Sequence, residues 1–118
     1  MKIATFNCNS IRKRMPIVLE WLKVNNPDVL CLQETKVEDK DFPHDLVSEL
    51  GFKHHLFSGQ KSYNGVAILS KYPIQDSFSL EFYNDDKRHV AVRCGGVEIH
   101  NFYVPAGGEE PDPEINPK

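Results

Sequence analysis

Glu34 is a carboxylate that follows a short apolar stretch and Gln33, a placement that can support chemistry. Residues 29–32 read Val-Leu-Cys-Leu, and Pro27 precedes them. So short an apolar run is typical of a strand buried on both faces, which would end beside Glu34. α/β proteins keep their reactive groups at such strand ends, where a carboxylate serves as a metal ligand or a general base. The alternative interpretation is a solvated glutamate at a corner between a strand and a loop.

The elements before Glu34 are expected to bring Asn7 to the same place. A first strand over residues 2–8 is followed by apolar residues at helical spacing, which predict a helix from Pro16 to Asn25. A strand, a helix and a second strand within roughly 30 residues form a right-handed crossover unit with parallel strands. Adjacent strands lie about 4.8 Å apart, so Asn7 and Glu34 could both reach one small cation.

Two further groups of polar residues could carry function. Arg12, Lys13 and Arg14 precede the predicted helix. They form either a solvated helix entrance or a contact for phosphate, and the sequence leaves both interpretations open. The histidines show no metal-ligand spacing, so we expect them in the core or on the surface rather than in catalysis: His54, His55, His89 and His100.

The rest of the chain reads as short strands, loops and one short helix. The helix is expected through Leu46 to a stop at Gly51. The expected strands cover residues 52–58, 66–70, 77–83, 89–94 and 97–103. The first two of these should pair antiparallel around a loop with an Asn-Gly turn signal, and the last two should form a hairpin across Gly95-Gly96. Residues 105–118 hold four prolines and four acidic residues, which predict a proline-rich acidic loop or tail.

Length and composition predict one globular domain or part of one. The chain has 118 residues, of which 40% are hydrophobic and 26% charged. The formal net charge of −3 gives no overall basic field, so a nucleic-acid surface would have to be a local patch.

Cysteine usage and hydropathy predict an intracellular protein. Cys8, Cys31 and Cys94 are an odd number at wide spacings, which is typical of buried thiols in a reducing compartment. The chain starts directly as a strand, and no apolar run approaches the roughly 18 residues that a membrane span needs. We therefore expect a cytoplasmic location, associated with the nucleoid if the source is bacterial, and no membrane partner.

Four segments, in this order and spacing, resemble the exonuclease III family of apurinic/apyrimidinic endonucleases, within the wider endonuclease/exonuclease/phosphatase superfamily. The likeness runs along the whole chain. The segments are residues 6–12 (Phe-Asn-Cys-Asn-Ser-Ile-Arg), 32–36 (Leu-Gln-Glu-Thr-Lys), 59–61 (Gly-Gln-Lys) with 64–68 (Asn-Gly-Val-Ala-Ile), and 101–105 (Asn-Phe-Tyr-Val-Pro).

The resemblance implies a fold and a reaction. The implied fold class is α/β, in the α+β sense: half of a four-layered sandwich with a mixed, mainly antiparallel sheet and flanking helices. The implied reaction is cleavage of phosphodiester bonds in double-stranded DNA, 5′ of abasic sites or at 3′ ends, with Mg²⁺ or Mn²⁺ as cofactor. Glu34 is similar to the family's metal-binding glutamate, and hard oxygen ligands suit magnesium. Asn7 resembles the family's active-site asparagine, which implies a role both at the metal and in catalysis. Tyr103 resembles the tyrosine whose hydroxyl reaches the scissile phosphate; without the likeness it would be read as a packed aromatic.

Further residues could contact the DNA backbone, since each occupies a loop or a strand end. Each is equally explained as an ordinary solvated side chain. These candidates are Asn9, Arg12, Lys36, Gln60, Lys61 and Arg88.

Two segments that the resemblance calls for do not occur in the chain. Family members carry Gly-Asp-x-Asn and Ser-Asp-His segments that supply a water-activating carboxylate and a phosphate-contacting histidine. The chain up to Lys118 holds the first half of such a site. We therefore expect residues 1–118 to be the N-terminal part of a longer domain, or to need a complementary C-terminal half. The alternatives are another phosphodiesterase of the superfamily, acting on lipid or inositol phosphates, and a catalytically inactive DNA-binding fragment.

Overall fold

The computed structural model describes residues 1–59, 65–78 and 89–104, which form two packed β-sheets and one layer of helices. In chain order the elements are β1 (Ile3–Asn7), α1 (Ile11–Asn25), β2 (Val29–Gln33), a single helical turn (Asp39–Asp41), α2 (His44–Ser48), β3 (His54–Ser58), β4 (Val66–Ser70), β5 (Ile74–Phe78), β6 (His89–Cys94) and β7 (Val97–Phe102).

The first sheet has the strand order β1-β2-β4-β3. β1 and β2 are parallel, with Asn7 opposite Gln33, whereas β4 is antiparallel to both of its neighbours. The predicted crossover unit is therefore confirmed. Since parallel strands end at the same edge of a sheet, the residues after β1 and β2 come out side by side.

The second sheet consists of β5, β6 and β7 in that order, all antiparallel. Gly95 and Gly96 join β6 to β7 with φ angles of 57° and 77°. Two successive positive φ angles match the right-handed twist of the flanking strands, which is why tight hairpins use them. The predicted hairpin is confirmed.

The core has two layers, one on each face of the first sheet. Because side chains alternate along a strand, β2 and β4 bury both of their faces. The layer under the helices includes Ile11, Met15, Val18, Leu22, Leu30, Leu32, Val47 and Leu69. The layer between the sheets includes Val29, Cys31, Val66, Ile68, Val90, Val92, Cys94 and Ile99.

Several predicted boundaries are wrong. The first helix begins at Ile11 rather than Pro16, because buried Ile11 and Met15 extend its apolar stripe by more than one turn. Pro16 therefore lies inside α1, and the three basic residues belong to its first turn instead of preceding it. β3 begins at His54, two residues later than predicted, and β5 begins at Ile74, three residues earlier. The remainder of the predicted strand over 77–83 and the tail 105–118 lie outside the described residues.

All three cysteines are free and buried, as predicted. Burial raises the pKa of Cys8 and of Cys31 to about 11, so both stay protonated thiols near neutral pH. No helix in the described ranges has the length and apolar character of a membrane span.

Candidate functional site

The candidate site lies where β1 and β2 end, and backbone hydrogen bonds join the two exits. These bonds continue the pairing of the strands past the sheet edge, into the loops that carry the polar side chains. The N–H groups of Cys8, Ser10 and Ile11 donate to the carbonyl oxygens of Gln33, Glu34 and Thr35, at 3.0, 2.8 and 3.0 Å respectively.

Four residues in these two loops have left-handed backbone conformations. Such conformations cost a side-chain-bearing residue about 1–3 kcal/mol each and persist where surrounding contacts fix them. They let each loop turn sharply at the strand end instead of continuing the strand. The residues are Asn9 (φ 44°), Ser10 (φ 88°), Glu34 (φ 56°) and Lys36 (φ 58°).

The buried thiol of Cys8 supports this junction from below. Its Sγ lies 3.3 Å from the carbonyl oxygen of Gln33 and 3.5 Å from that of Glu34, and it can donate its proton to either. Because burial holds the pKa of this thiol near 11, the sulfur acts as a weak donor and not as a nucleophile. Sequence reasoning identified Cys8 as buried but not as a support for Glu34.

Tyr103 joins the site from the second sheet. Its hydroxyl donates to Glu34 Oε1 at 3.2 Å, and both side chains are half-buried. The two residues are 69 positions apart in the chain. The structure therefore brings together the carboxylate and the tyrosine that were proposed from the sequence as parts of one site.

A chain of hydrogen bonds links three other candidates. Lys36 Nζ donates to Asn9 Oδ1 at 2.5 Å, and the backbone N–H of Asn9 donates to Asn7 Oδ1 at 3.2 Å. Asn7 is exposed at the end of β1, opposite Gln33 in the sheet register. The Asn7 amide therefore lies at the end of β1, beside Gln33 of β2, the residue that precedes Glu34.

An open pocket beside Asn9 is lined mostly by basic side chains. Arg12 is engaged with Asp41 across 3.5 Å, but both side chains are exposed, so the pair contributes little stability. The pocket combines cationic side chains with the polar groups of the loop after β1, a surface that suits a phosphate group. It is lined by Asn9, Ser10, Arg12, Lys13, Arg14 and Lys36.

Gly65 holds the loop after Glu34 in place. Its carbonyl oxygen accepts a hydrogen bond of 3.2 Å from the N–H of Thr35, a residue that is itself buried. Gly65 has a φ of 94°, and a Cβ at this position would overlap Thr35 Oγ1 and lie 3.3 Å from Lys36 N. Sequence reasoning assigned this glycine to a tight turn and missed its contact with the site.

A network of amide hydrogen bonds, centred on the buried Asn101, connects the two sheets. Gln33 Nε2 donates to Thr5 Oγ1 at 2.9 Å and to Asn101 Oδ1 at 2.7 Å. Asn101 Nδ2 donates to the carbonyl oxygens of Leu32 and Ala67, each at 2.8 Å. Asn101 was known from the sequence only as part of a motif, with no role assigned.

The residues present fit a hard divalent cation. Mg²⁺ is usually held by one or two carboxylates, with water and substrate phosphate completing its oxygen shell. Glu34 would supply the carboxylate and Asn7 an amide oxygen. Within residues 1–59, 65–78 and 89–104, no three His, Cys, Asp or Glu side chains converge as a metal site.

The structure thus brings six of the sequence-predicted candidates to one edge of the molecule, although their roles stay predictions. Three others lie outside the described residues. Those brought together are Asn7, Asn9, Arg12, Glu34, Lys36 and Tyr103; those outside are Gln60, Lys61 and Arg88.

His89 and His100 form a pair on β6 and β7, on the opposite face of the second sheet from Asn101. Their ring nitrogens lie 3.1 Å apart, and His100 also lies 3.3 Å from Glu98. Burial, and then the neighbouring His100, lower the pKa of His89 below its usual value. His89 is therefore neutral at pH 7.

Comparison with known proteins places the chain in the endonuclease/exonuclease/phosphatase family, to which it belongs: the family model matches residues 4–115. Among curated proteins, exodeoxyribonuclease III of Haemophilus influenzae is 33% identical over 114 residues, which cover 91% of this chain and 42% of the relative. The DNA repair nuclease APEX1 of Danio rerio is 33% identical over 112 residues, covering 89% of this chain and 36% of the relative. The predicted resemblance is confirmed.

Solved structures agree with the sequence relatives. An AP endonuclease from Archaeoglobus fulgidus superposes with a TM-score of 0.83 at 48% identity, over 91% of this chain and 42% of that one. A 3′ phosphatase from Neisseria, bound to product DNA hairpin, gives 0.84 at 39% identity over the same shares. The predicted fold class is confirmed. The chain spans about 42% of the length of these relatives.

Replacing Gly65 by alanine should lower the free energy of unfolding by more than the strain of the left-handed backbone alone would. We expect a loss of about 1–3 kcal/mol from the left-handed backbone, with a further loss because the new methyl group overlaps Thr35. Gly96→Ala is the matched control, since Gly96 also has a positive φ but nothing lies within 4 Å of the added Cβ. Urea unfolding measures both. Equal losses in the two variants would show that the Thr35 contact is unimportant.

Proposed function

We propose that the protein, in its complete form, is a metal-dependent phosphodiesterase acting on DNA. It would incise double-stranded DNA 5′ of abasic sites, remove nucleotides from 3′ ends, or do both. The observation that carries the proposal is the 3.2 Å hydrogen bond from Tyr103 to Glu34, which joins a potential metal ligand to a potential phosphate ligand across the two sheets. The names of the relatives, an exodeoxyribonuclease III and an AP endonuclease, support the same substrate.

Glu34 and Asn7 would hold Mg²⁺, or Mn²⁺ in its place. When bound, such an ion neutralises charge that develops on the phosphate and on the leaving oxygen. The half-buried carboxylate of Glu34 is fixed by its strand exit and by the Tyr103 hydroxyl. Asn7 would add an oxygen ligand, or orient water, without adding charge.

Tyr103 would act as a donor to the substrate. Its hydroxyl already points to the Glu34 carboxylate, so a phosphate oxygen at this position would compete for the same proton. A fixed neutral donor stabilises a phosphate oxygen most where water is excluded. The half-buried setting of Tyr103 meets that condition in part.

The basic pocket would bind the DNA backbone. The overall charge of −3 repels DNA at long range, so affinity must come from the local cations around Asn9. Lys36 and Arg12 both line this pocket, where Lys36 contacts Asn9 and Arg12 contacts Asp41. Gln60, Lys61 and Arg88 remain predicted DNA contacts, and an intracellular location remains the expectation for a DNA enzyme.

A complementary C-terminal half would complete the domain. β1 and β7 are edge strands, and β7 packs over β2 and β4, so in the described part of the chain the second sheet lies mainly over the strands beside β1. Its Ile3 is 46% exposed. On the outer side, Phe6, Ile17 and Trp21 line an apolar groove between β1 and α1. Apolar surface of this kind marks an interface.

The runner-up function is DNA binding without cleavage. It is favoured because, within the described residues, Glu34 does not belong to any group of three or more His, Cys, Asp or Glu side chains that could hold a metal ion. A phosphodiesterase acting on lipid or inositol phosphates is the other enzyme candidate, and it would cleave such substrates in place of an abasic duplex.

Glu34→Gln should abolish metal-dependent cleavage of a duplex with one abasic site. We expect the rate to fall by about 100-fold or more, because the neutral amide is a poorer ligand for a hard cation. The assay uses the chain mixed with the portion of the Archaeoglobus relative that it does not cover. Glu38→Gln, a charge change four residues away, is the control and should keep its activity. Cleavage that survives both a chelator and Glu34→Gln would overturn the proposal.

Lys36→Ala should weaken DNA binding about equally for all sequences. Loss of one phosphate contact lowers the salt dependence of binding by about one unit of slope. Fluorescence anisotropy with a labelled duplex, over a series of salt concentrations, measures this. Lys23→Ala, at the far end of α1, removes the same charge away from the pocket and should change neither quantity. An unchanged slope in Lys36→Ala would place the DNA elsewhere.

Binding of the complementary half should bury Trp21, the single tryptophan of the chain. Trp21 is 42% exposed, so its fluorescence emission should move to shorter wavelength when an apolar partner covers the groove. The titrant is the uncovered portion of the Archaeoglobus relative. Trp21→Phe in the same titration gives the signal of the partner alone for subtraction. A subtracted spectrum that does not change would show that the groove is not the interface.

A further inference from the structure

The carboxamide of Asn101 makes three hydrogen bonds that cross between the sheets. It accepts one hydrogen bond through Oδ1, from Gln33, and donates two through Nδ2, to Leu32 and Ala67. The residue is 2% exposed. Because a flipped amide would set donor against donor and acceptor against acceptor in this buried position, the side chain has a single favourable orientation.

These contacts fix the register of β7 against the strand that presents Glu34. The partners Leu32 and Gln33 immediately precede Glu34, and Tyr103 follows Asn101 by two residues, just past the end of β7, where it packs against the core layer between the sheets. A shift of β7 by one residue would turn Asn101 to the opposite face of the second sheet. The seated Asn101 therefore holds β7 in the register from which the Tyr103 hydroxyl reaches Glu34.

We propose that Asn101, supported by Gln33, is a positioning residue that sets the Tyr103 hydroxyl against the Glu34 carboxylate. The proposal rests on the proposed function for its catalytic consequence, but its geometric content is independent of that function. Asn101 itself would touch neither substrate nor metal. Gln33 extends the support to Thr5 on β1, so the strand that ends at Asn7 is tied into the same network.

A tyrosine signal tests the geometry directly on the 118-residue chain. The chain is labelled with carbon-13 at the ring carbon that bears the hydroxyl, and the Tyr103 resonance is assigned by its loss in Tyr103→Phe. Glu34→Ala defines the resonance position when the carboxylate is gone. We expect Asn101→Leu to move the signal at least halfway towards that position. An unmoved signal in a folded Asn101→Leu protein would overturn the proposal.

A control substitution separates positioning from general stability. Ile99→Ala lies on the same strand and face and removes apolar packing between the sheets, while leaving the amide network in place. It should lower the urea midpoint but leave the Tyr103 signal unmoved. If Asn101→Leu does not fold, Gln33→Met replaces it, since Gln33 is partly exposed, with Ile99→Ala again as the control. A signal that moves equally in Ile99→Ala and Asn101→Leu would also overturn the proposal.

Kinetics of the reconstituted domain then test the catalytic consequence. Asn101→Leu should lower kcat by about tenfold to a hundredfold with little change in KM, as expected from a misplaced group. In the Tyr103→Phe background the same substitution should have less than about a twofold effect, because coupled residues are not additive. If Asn101→Leu lowers kcat by the same factor in the Tyr103→Phe background as in the unaltered protein, the positioning role is overturned. Failure of Glu34→Gln to affect cleavage would instead refute the proposed function, while leaving the tyrosine signal as evidence on the geometry.

Discussion

The hydrogen-bonded junction between the exits of β1 and β2 is the constraint on which the rest of the site depends. Backbone bonds continue past the sheet and tie the loop carrying Asn9 and Ser10 to the loop carrying Glu34 and Lys36. The sheet alone would let each loop leave in its own direction. With the bonds in place, left-handed residues on both sides are held in conformations they would not adopt in isolation.

Support for this junction comes from buried groups that take no part in the proposed chemistry. The Cys8 thiol lies beneath the two loops. The carbonyl oxygen of Gly65, the residue before β4, accepts a hydrogen bond from the N–H of Thr35. Asn101, on the second sheet, donates a hydrogen bond to the carbonyl oxygen of Leu32, two residues before Glu34. Each of these groups is satisfied inside the protein, so none competes for a cation or a phosphate. The polar side chains at this edge include exposed Asn7, half-buried Glu34 and the cations of the basic pocket.

The architecture also explains why the strands of the first sheet differ in how deeply they are buried. Among the described residues, the second sheet packs mainly over β2, β3 and β4, and β1 is the most exposed strand of the first sheet. The relatives are more than twice as long as the matched region, which agrees with the proposal that a complementary half covers this face.

The sequence by itself determined the features that depend on short stretches of chain. The apolar run before Glu34 predicted a doubly buried strand, and the crossover length predicted that Asn7 would emerge beside it; both are confirmed. The Gly95-Gly96 hairpin is confirmed for the same reason, since turn chemistry is local. Periodicity failed at the start of α1, where Pro16 suggested a beginning but burial of Ile11 against the sheet decided otherwise.

Only the tertiary structure decided the contacts between residues far apart in the chain. The Tyr103–Glu34 bond, the Asn101 network and the contact of Gly65 with Thr35 depend on how the two sheets and their loops meet. No pattern of polar and apolar residues encodes such a meeting, because hydrogen bonds are directional and require atoms to be placed within a few tenths of an ångström. Local sequence fixes which side chains leave a strand end, and the packing of sheet on sheet fixes which of them touch.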